Sequence, residues 1–276
     1  MNELLKNVEE ITRRVARFQM EHFRKVSVGA EGMKAVRETV SFIDVESERL
    51  LKEGLMPLVE DAGFFGEESG KEGSQKLAWV VDPLDGTTNY LSGLDHFSIS
   101  VGLVEDGQPI LGVVHRPSTG ESLAAALGEG CSRLDSRYAE GWQKMPPLDP
   151  HFPAQEALFM TGFPYRSEDL ENAFFGAAPE VLKLGRGIRR SGSAALDLAY
   201  LGMGWLQGFW ESDLQPYDAA AALLMMKENG IIATNEKGED FNMMNDRILV
   251  AGLPKVHAML LPVIAKHYQM SGANQP

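Results

Sequence analysis

Two aspartates separated by a proline and a leucine, in Asp82-Pro83-Leu84-Asp85-Gly86, have the residue types and spacing best suited to chemistry in this chain. They follow an apolar run, Leu77 to Val81, that reads as a fully buried strand ending abruptly at the first acid. An unpaired carboxylate is costly to bury. Two of them at the mouth of a core strand therefore call for a positive partner, and a hard divalent cation suits oxygen donors. Pro83 stiffens the turn and aims both carboxylates at a fixed place. Gly86 lets the backbone approach a ligand, and Thr87-Thr88-Asn89 reads as the first turn of a helix. Free N–H groups at such a start attract an anion, phosphate among them. Asp-Pro-x-Asp-Gly is also the composition of an ordinary turn, so the metal-plus-phosphate reading needs support from elsewhere in the chain.

Two other acidic stretches supply it. Phe64-Phe65-Gly66-Glu67-Glu68-Ser69-Gly70 reads as a strand end whose acids face a cavity, one glutamate a ligand and the other solvated; a plain surface loop fits the same residues. Gln215-Pro216-Tyr217-Asp218 leads into a helical pattern over Ala219 to Asn229 closed by Gly230, which places Asp218 on the loop at a helix start. Asp44 opens another helical pattern through Val45, Leu50, Leu51, Leu55 and Val59, where an acid is expected for capping alone.

The elements that must position these acids alternate in kind. Leu4, Val8, Ile11, Val15, Phe18 and His22 recur at helical spacing, and Gly29 to Gly32 breaks that helix. Val40 to Ile43 reads as a short strand or an entry turn. Phe97 to Val104 and Pro109 to His115 flank Glu105-Asp106-Gly107-Gln108 as a hairpin, with a further strand over Ser122 to Leu127. Cys131 to Gln155 is charged, then proline-rich, and marks the boundary between an N-terminal α+β half, 1–150, and a C-terminal α/β half, 151–276, of one unit. Strands are expected over Ala157 to Thr161, Leu206 to Trp210 (ending at Glu211), Ile231 to Thr234 and Arg247 to Ala251. Helices are expected over Ser167 to Leu184 with Ser167 as N-cap, over Ala194 to Met203, and from Pro254 with a kink at Pro262. Gly187 to Arg190 is a basic strand or turn; Arg189 and Arg190 there either bind a substrate anion or pack against acids.

Bulk properties narrow the function. At 276 residues and 44% hydrophobic, the chain can bury a substantial core. A net charge of −13 argues against nucleic acid or an anionic membrane as partner and suits a protein that gathers cations. The single cysteine, Cys131, excludes an internal disulfide and a thiolate metal cluster, as expected in a reducing compartment. Met1 to Gln19 is charged throughout and no run approaches the ~20 apolar residues of a membrane helix, so a soluble, cytoplasmic protein is expected.

Gly66-Glu67-Glu68-Ser69, Asp82-Pro83-Leu84-Asp85-Gly86-Thr87-Thr88-Asn89 and Pro216-Tyr217-Asp218-Ala219-Ala220 occur in the order seen in inositol monophosphatases, within the lithium-sensitive, magnesium-dependent phosphatase superfamily. Thr161-Gly162-Phe163-Pro164-Tyr165 and Gly192-Ser193-Ala194-Ala195-Leu196-Asp197 extend the resemblance, which runs to about Ala251. It implies a layered αβαβα sandwich of the sugar-phosphatase type, with the site between two halves. It also implies two to three magnesium ions. Glu67, Asp82 and the carbonyl of Leu84 match the ligands of one; Asp82, Asp85 and Asp218 match those of a second; a third shares Glu67 with water. Thr87 and Asp44 match the pair that orients and deprotonates the attacking water, and Gly86 and Thr87 the phosphate-binding N–H groups. Ser193, Ala194, Glu211 and Asp85 match contacts to the inositol ring.

The implied activity is hydrolysis of inositol 1-phosphate and related polyol phosphates by a homodimer. Relatives acting on fructose 1,6-bisphosphate, 3′-phosphoadenosine 5′-phosphate or histidinol phosphate are the alternatives within the same chemistry, and a non-catalytic regulatory protein with the same fold is the alternative outside it. Three departures stand out. Tyr217 occupies a position usually held by tryptophan, Glu38-Thr39-Val40-Ser41 replaces the usual Asp-x-Val-Thr lead-in to Asp44, and the Asn-Gly turn expected after Gly130 is missing. None removes a metal ligand.

Overall fold

The computed structural model describes residues 3–25, 32–35, 38–40, 42–165 and 167–272. Helix α1 (Glu3–His22) is followed by a small hairpin, β1 (Gly32–Ala35) and β2 (Glu38–Val40), and by α2 (Phe42–Leu55). Strands β3 (Gly63–Gly66), β4 (Gly70–Glu72) and β5 (Leu77–Asp85) come next, then the short helix α3 (Thr87–Leu91). A meander follows: β6 (Ser98–Glu105), β7 (Gln108–Arg116), β8 (Glu121–Ala126), β9 (Gly130–Leu134) and β10 (Trp142–Lys144). The rest of the chain alternates as β11 (Leu158–Thr161), α4 (Glu171–Val181), β12 (Gly187–Arg189), α5 (Ala194–Gly202), β13 (Gly208–Ser212), α6 (Pro216–Glu228), β14 (Ile232–Thr234), β15 (Ile248–Gly252) and α7 (Pro254–Gly272).

Strands β3 to β10 form one sheet in the order β10-β9-β8-β7-β6-β5-β3-β4, antiparallel except where β3 runs parallel to β5. Strands β11 to β15 form a second in the order β12-β11-β13-β15-β14. Helices α1 and α2 cover the outer face of the first sheet, α5 and α6 lie between the sheets, and α4 and α7 cover the outer face of the second. The result is the αβαβα sandwich implied by the resemblance. Alternation along β5 assigns its two faces: Trp79 and Val81 pack under α1 and α2, while Val80 packs with Ala220 of α6. The β6–β7 hairpin turns at Asp106 and Gly107, both with positive φ, the pairing that a two-residue hairpin demands.

Helix α6 sits unusually close to the first sheet. A Cβ on Gly112 of β7 would fall 2.3 Å from the Ala221 carbonyl oxygen, and one on Gly102 of β6 would fall 2.9 Å from the Ala220 Cβ. Glycine on the strands and the run Ala219–Ala222 on the helix are what allow this approach, and it carries Asp218 toward Asp82.

Several sequence expectations need correction. Strand β5 continues through Asp85 instead of ending at Asp82. Asp44 and Asp218 lie within the first turns of α2 and α6, inside the helices, because each helix begins three residues before its apolar pattern, at Phe42 and Pro216. The stretch after Cys131 holds β9 and β10, which complete the first sheet before the proline-rich residues begin. Ser167 makes no side-chain capping bond; it precedes a single 3₁₀ turn, Glu168–Leu170, that leads into α4. Helix α7 does start at Pro254 as expected and holds Pro262 in its interior. Gly29 and Ser41 lie outside the described residues; α1 ends at His22. Among the described residues no helix is long and apolar enough to cross a membrane.

Adding a methyl at Gly112 must push α6 off the sheet. Gly112→Ala is expected to cost about 3 kcal/mol, the upper end of core overpacking, read as a lower urea midpoint at unchanged slope. A midpoint equal to the parent's would show that α6 does not rest on this strand.

Candidate active site

The two aspartates of β5 face the same way because the strand is irregular between them. Asp82 pairs with Ser100 and Asp85 with Ser98, so three steps along β5 match two along β6. In an unbroken strand, residues three apart point to opposite faces. The extra residue restores them to one face, and a bulge is where a sheet tolerates Pro83. Both carboxylates then point toward α6. The N–H of Leu84 donates to Asp82 Oδ1 at 2.9 Å, which fixes that carboxylate against its own loop.

Asp85 is held from the opposite half of the chain. It accepts the Ala194 and Ala195 N–H groups at 3.1 and 2.9 Å, at the start of α5. The hydroxyls of Ser98 and Ser193 donate to it as well. The positive end of α5 thus offsets part of its charge. Asp218 is the third residue of α6 and closes a capping box with Gln215, whose N–H donates to Asp218 Oδ2 at 2.8 Å.

Together Asp82, Asp85 and Asp218 offer one carboxylate oxygen each, all within 4.8 Å of one another. All three are buried, Asp82 to 2% exposure. Burial pushes the Asp82 carboxyl well above its ordinary range, and Glu67, Asp85 and Asp218 push in the same direction. Burial likewise raises Asp85, against the lowering effect of its bonds to Ser193, Ala195 and Ala194. Oxygen-only donors with uncompensated negative charge are what a hard dication such as magnesium requires. The residues present fit that ion.

Glu67 follows directly on β3, its N–H bonded to the Val81 carbonyl beside Asp82. It lines the same cleft, whereas Glu68 does not. Thr87 opens α3 and donates from Oγ1 to Asp44 Oδ1 at 2.7 Å and to the Leu84 carbonyl at 3.0 Å. Asp44 is 1% exposed and does not itself line the cleft, whereas Thr87, bonded to it, does. Gly86, with φ +94°, caps α3; a Cβ there would fall 3.0 Å from the Gly192 carbonyl oxygen. Ser193, Ala194 and Glu211 also line this cleft, which has a volume of about 600 Å³. Burial drives the Glu211 carboxyl well above its usual range, reinforced by Asp197, Asp218 and Asp85. Of the two basic residues, Arg190 lines the cleft, while Arg189 turns back to the Ile188 carbonyl. Cys131 is buried, its thiol pushed up to about 12 by desolvation, and stands apart from the site. Tyr217 meets Phe65 edge-on behind Asp218.

Some positioning residues escaped the sequence reading. Glu48 is one turn along α2 from Asp44, and its carboxylate accepts the Glu68 and Ser69 N–H groups at 2.8 Å each, holding the turn that presents Glu67. The i,i+4 spacing of Asp44 and Glu48 was an available signal. Asn89 bridges the His96 and Ser191 carbonyls across the two halves, and nothing local in the sequence announces that.

Known proteins resemble this chain in sequence and in fold. The profile of the inositol monophosphatase family matches residues 1–269. An inositol-1-monophosphatase of Rhizobium meliloti is 38% identical over 210 residues, 75% of each chain. A Nus factor SuhB of Xylella fastidiosa is 31% identical over 255 residues, 90% of each. Among solved structures, a Thermotoga maritima IMPase superposes with a TM-score of 0.82 at 28% identity, covering 96% of this chain and 97% of the other.

Magnesium at a hundredfold excess over its Kd is expected to stabilise the protein by about 2.7 kcal/mol, seen as a rise in melting temperature that EDTA reverses. Asp82→Asn should abolish that rise while melting above the metal-free parent, since it relieves repulsion. Glu48→Gln should weaken magnesium affinity about tenfold in the same titration, as loss of ligand support does elsewhere. A full magnesium response in Asp82→Asn would remove this carboxylate from the ligand set.

Proposed function

The chain belongs to the inositol monophosphatase family, and on that premise we propose that it is a magnesium-dependent phosphomonoesterase acting on inositol 1-phosphate and related sugar or polyol phosphates. The observation that carries this reading is the convergence of Asp82, Asp85 and Asp218 within 4.8 Å beside the Thr87–Asp44 hydrogen bond. In this reading the 1–150 half contributes Asp44, Glu67, Asp82, Leu84, Asp85 and Thr87. The 151–276 half contributes Ser193, Ala194, Glu211 and Asp218.

Two to three magnesium ions, held by Glu67, Asp82, the Leu84 carbonyl, Asp85 and Asp218, would supply charge neutralisation and water activation when bound. The residues themselves do the rest. Thr87, anchored on buried Asp44, orients the attacking water, and Asp44 receives the proton through the Thr87 hydroxyl. The N–H groups of Gly86 and Thr87 hold the phosphate. Ser193, Ala194, Glu211 and Asp85 orient the polyol. Glu211, with its raised affinity for protons, is suited to hydrogen bonding with ring hydroxyls.

Two features weigh on the alternatives. Gly86-Thr87-Thr88-Asn89 differs from the Gly-Thr-Lys-Glu of nucleotide-preferring relatives, which favours polyol over nucleotide phosphates. The retention of Glu67, Asp82, Asp85 and Asp218 favours catalysis over a purely regulatory role, although some relatives are named as Nus factors. Lithium sensitivity, a homodimeric state and a cytoplasmic location come with the same family reading.

Inositol 1-phosphate should release phosphate only when magnesium is supplied. Thr87→Val should lower kcat about a hundredfold or more, with Thr87→Ser recovering most of it and both variants melting near the parent. Absence of release from any polyol phosphate would instead favour the regulatory alternative.

A further inference from the structure

Gln19 interrupts the buried face of α1. Val8, Ile11, Val15 and Ala16 precede it on that face, and the stripe then ends in a primary amide with no solvent exposure. The amide nitrogen donates to the Pro83 carbonyl at 2.7 Å and to the Ser47 hydroxyl of α2 at 3.1 Å. Its oxygen has no hydrogen-bond partner among the described residues. An unpaired buried acceptor destabilises a fold. An apolar side chain would be free of that cost, but would leave the Pro83 carbonyl without this donor. The amide is therefore kept for its N–H groups, and the shorter of its two bonds goes to the turn between Asp82 and Asp85.

Pro83 is where such a grip has most effect. Its ring fixes φ, so the soft torsion in the middle of the bulge is ψ of Pro83. Turning it swings the Pro83 carbonyl and the Leu84 N–H together, because the two share one peptide plane. Gln19 holds the carbonyl, and Asp82 Oδ1 holds the N–H at 2.9 Å. Neither Pro83 nor Leu84 has a partner residue on β6, where the register shifts. The plane is thus tied at both ends, to α1 on one side and to the Asp82 carboxylate on the other. The anchor is itself steadied: Tyr90 Oη of α3 donates to the Gln19 carbonyl at 2.6 Å, and the Leu84 side chain is buried in a cluster with Ile43, Tyr90 and Phe97.

We propose that Gln19 is a positioning residue for the dication site: by holding the Pro83 carbonyl it fixes the Pro83–Leu84 peptide, and through the Leu84 N–H it sets the direction of the Asp82 carboxylate. Gln19 does not line the cleft and acts from 64 residues away in the chain. The force it opposes is the repulsion among Asp82, Asp85 and Asp218. Without the tie, rotation of one peptide lets Asp82 turn away from the other two. This rests on the reading of the three acids as a magnesium site.

The test is calorimetric titration of magnesium chloride into the metal-free protein, without substrate, for the parent, Gln19→Met, Gln19→Asn and Ser47→Ala. Methionine keeps the length and removes the donor; asparagine keeps the amide and withdraws it by one methylene. Both should weaken magnesium affinity about tenfold, the lower end of what losing support behind a metal ligand does. Ser47→Ala removes the other bond of the same amide and should keep the parent's affinity. Urea midpoints in EDTA should fall in Ser47→Ala as well, so a shared loss of stability does not imitate the result. Parent-like affinity in both Gln19 variants, or an equal weakening in Ser47→Ala, overturns the inference and leaves the magnesium site in place. Loss of cooperative unfolding in both Gln19 variants assigns the residue to the fold alone and also overturns it. Absence of magnesium binding by the parent overturns the inference and the magnesium reading together.

Discussion

Three buried carboxylates held within 4.8 Å of one another repel, and the rest of the molecule is built to keep them there. At an effective dielectric constant near 20, each pair at such a distance costs about 3 kcal/mol. Left to itself, a chain relieves that cost by moving the acids apart or protonating them. Here neither a flexible loop nor a surface position is available. Asp82 and Asp85 are locked on a bulged core strand, and Asp218 is locked into the first turn of a helix pressed against the same sheet. The fold stores a demand for positive charge.

The restraint comes from backbone groups more than from ion pairs. Asp82 accepts the Leu84 N–H, Asp85 the first N–H groups of α5, and Asp218 the Gln215 N–H. Each bond fixes the direction of its carboxylate. Among the described residues no lysine lines the cleft, and a neutralising side chain there would compete with a dication for the same oxygens. Helix α2 repeats the strategy one layer out: Asp44 anchors Thr87, and Glu48, one turn on, anchors the turn bearing Glu67. One rigid element thereby aligns the two flanks of the site.

The close packing of α6 on Gly102 and Gly112 gives the small residues of this chain a role tied to chemistry. A larger residue at either strand position would move the Asp218 turn away from β5. The stability of the interlayer contact and the geometry of the acids are thus set by the same atoms. At the cleft mouth the guanidinium of Arg190 rests against the rings of Tyr165 and Phe163.

The acids that meet in the cleft, the αβαβα class through family resemblance, and most strands and helices were legible in the sequence by itself. They depend on local patterns: apolar periodicity, Gly and Asp-Gly turns, and acids at element ends. Element edges were less legible, because Asp44, Asp85 and Asp218 are polar residues that hydrogen bonding draws inside helix or strand. What only the tertiary structure decided is which way those acids face and what steadies them. The bulge is visible only once β6 is paired, and Glu48, Asn89 and Arg190 act across contacts between residues far apart in the chain. Such contacts leave no periodic trace along the chain, since their partners are chosen by how the layers pack.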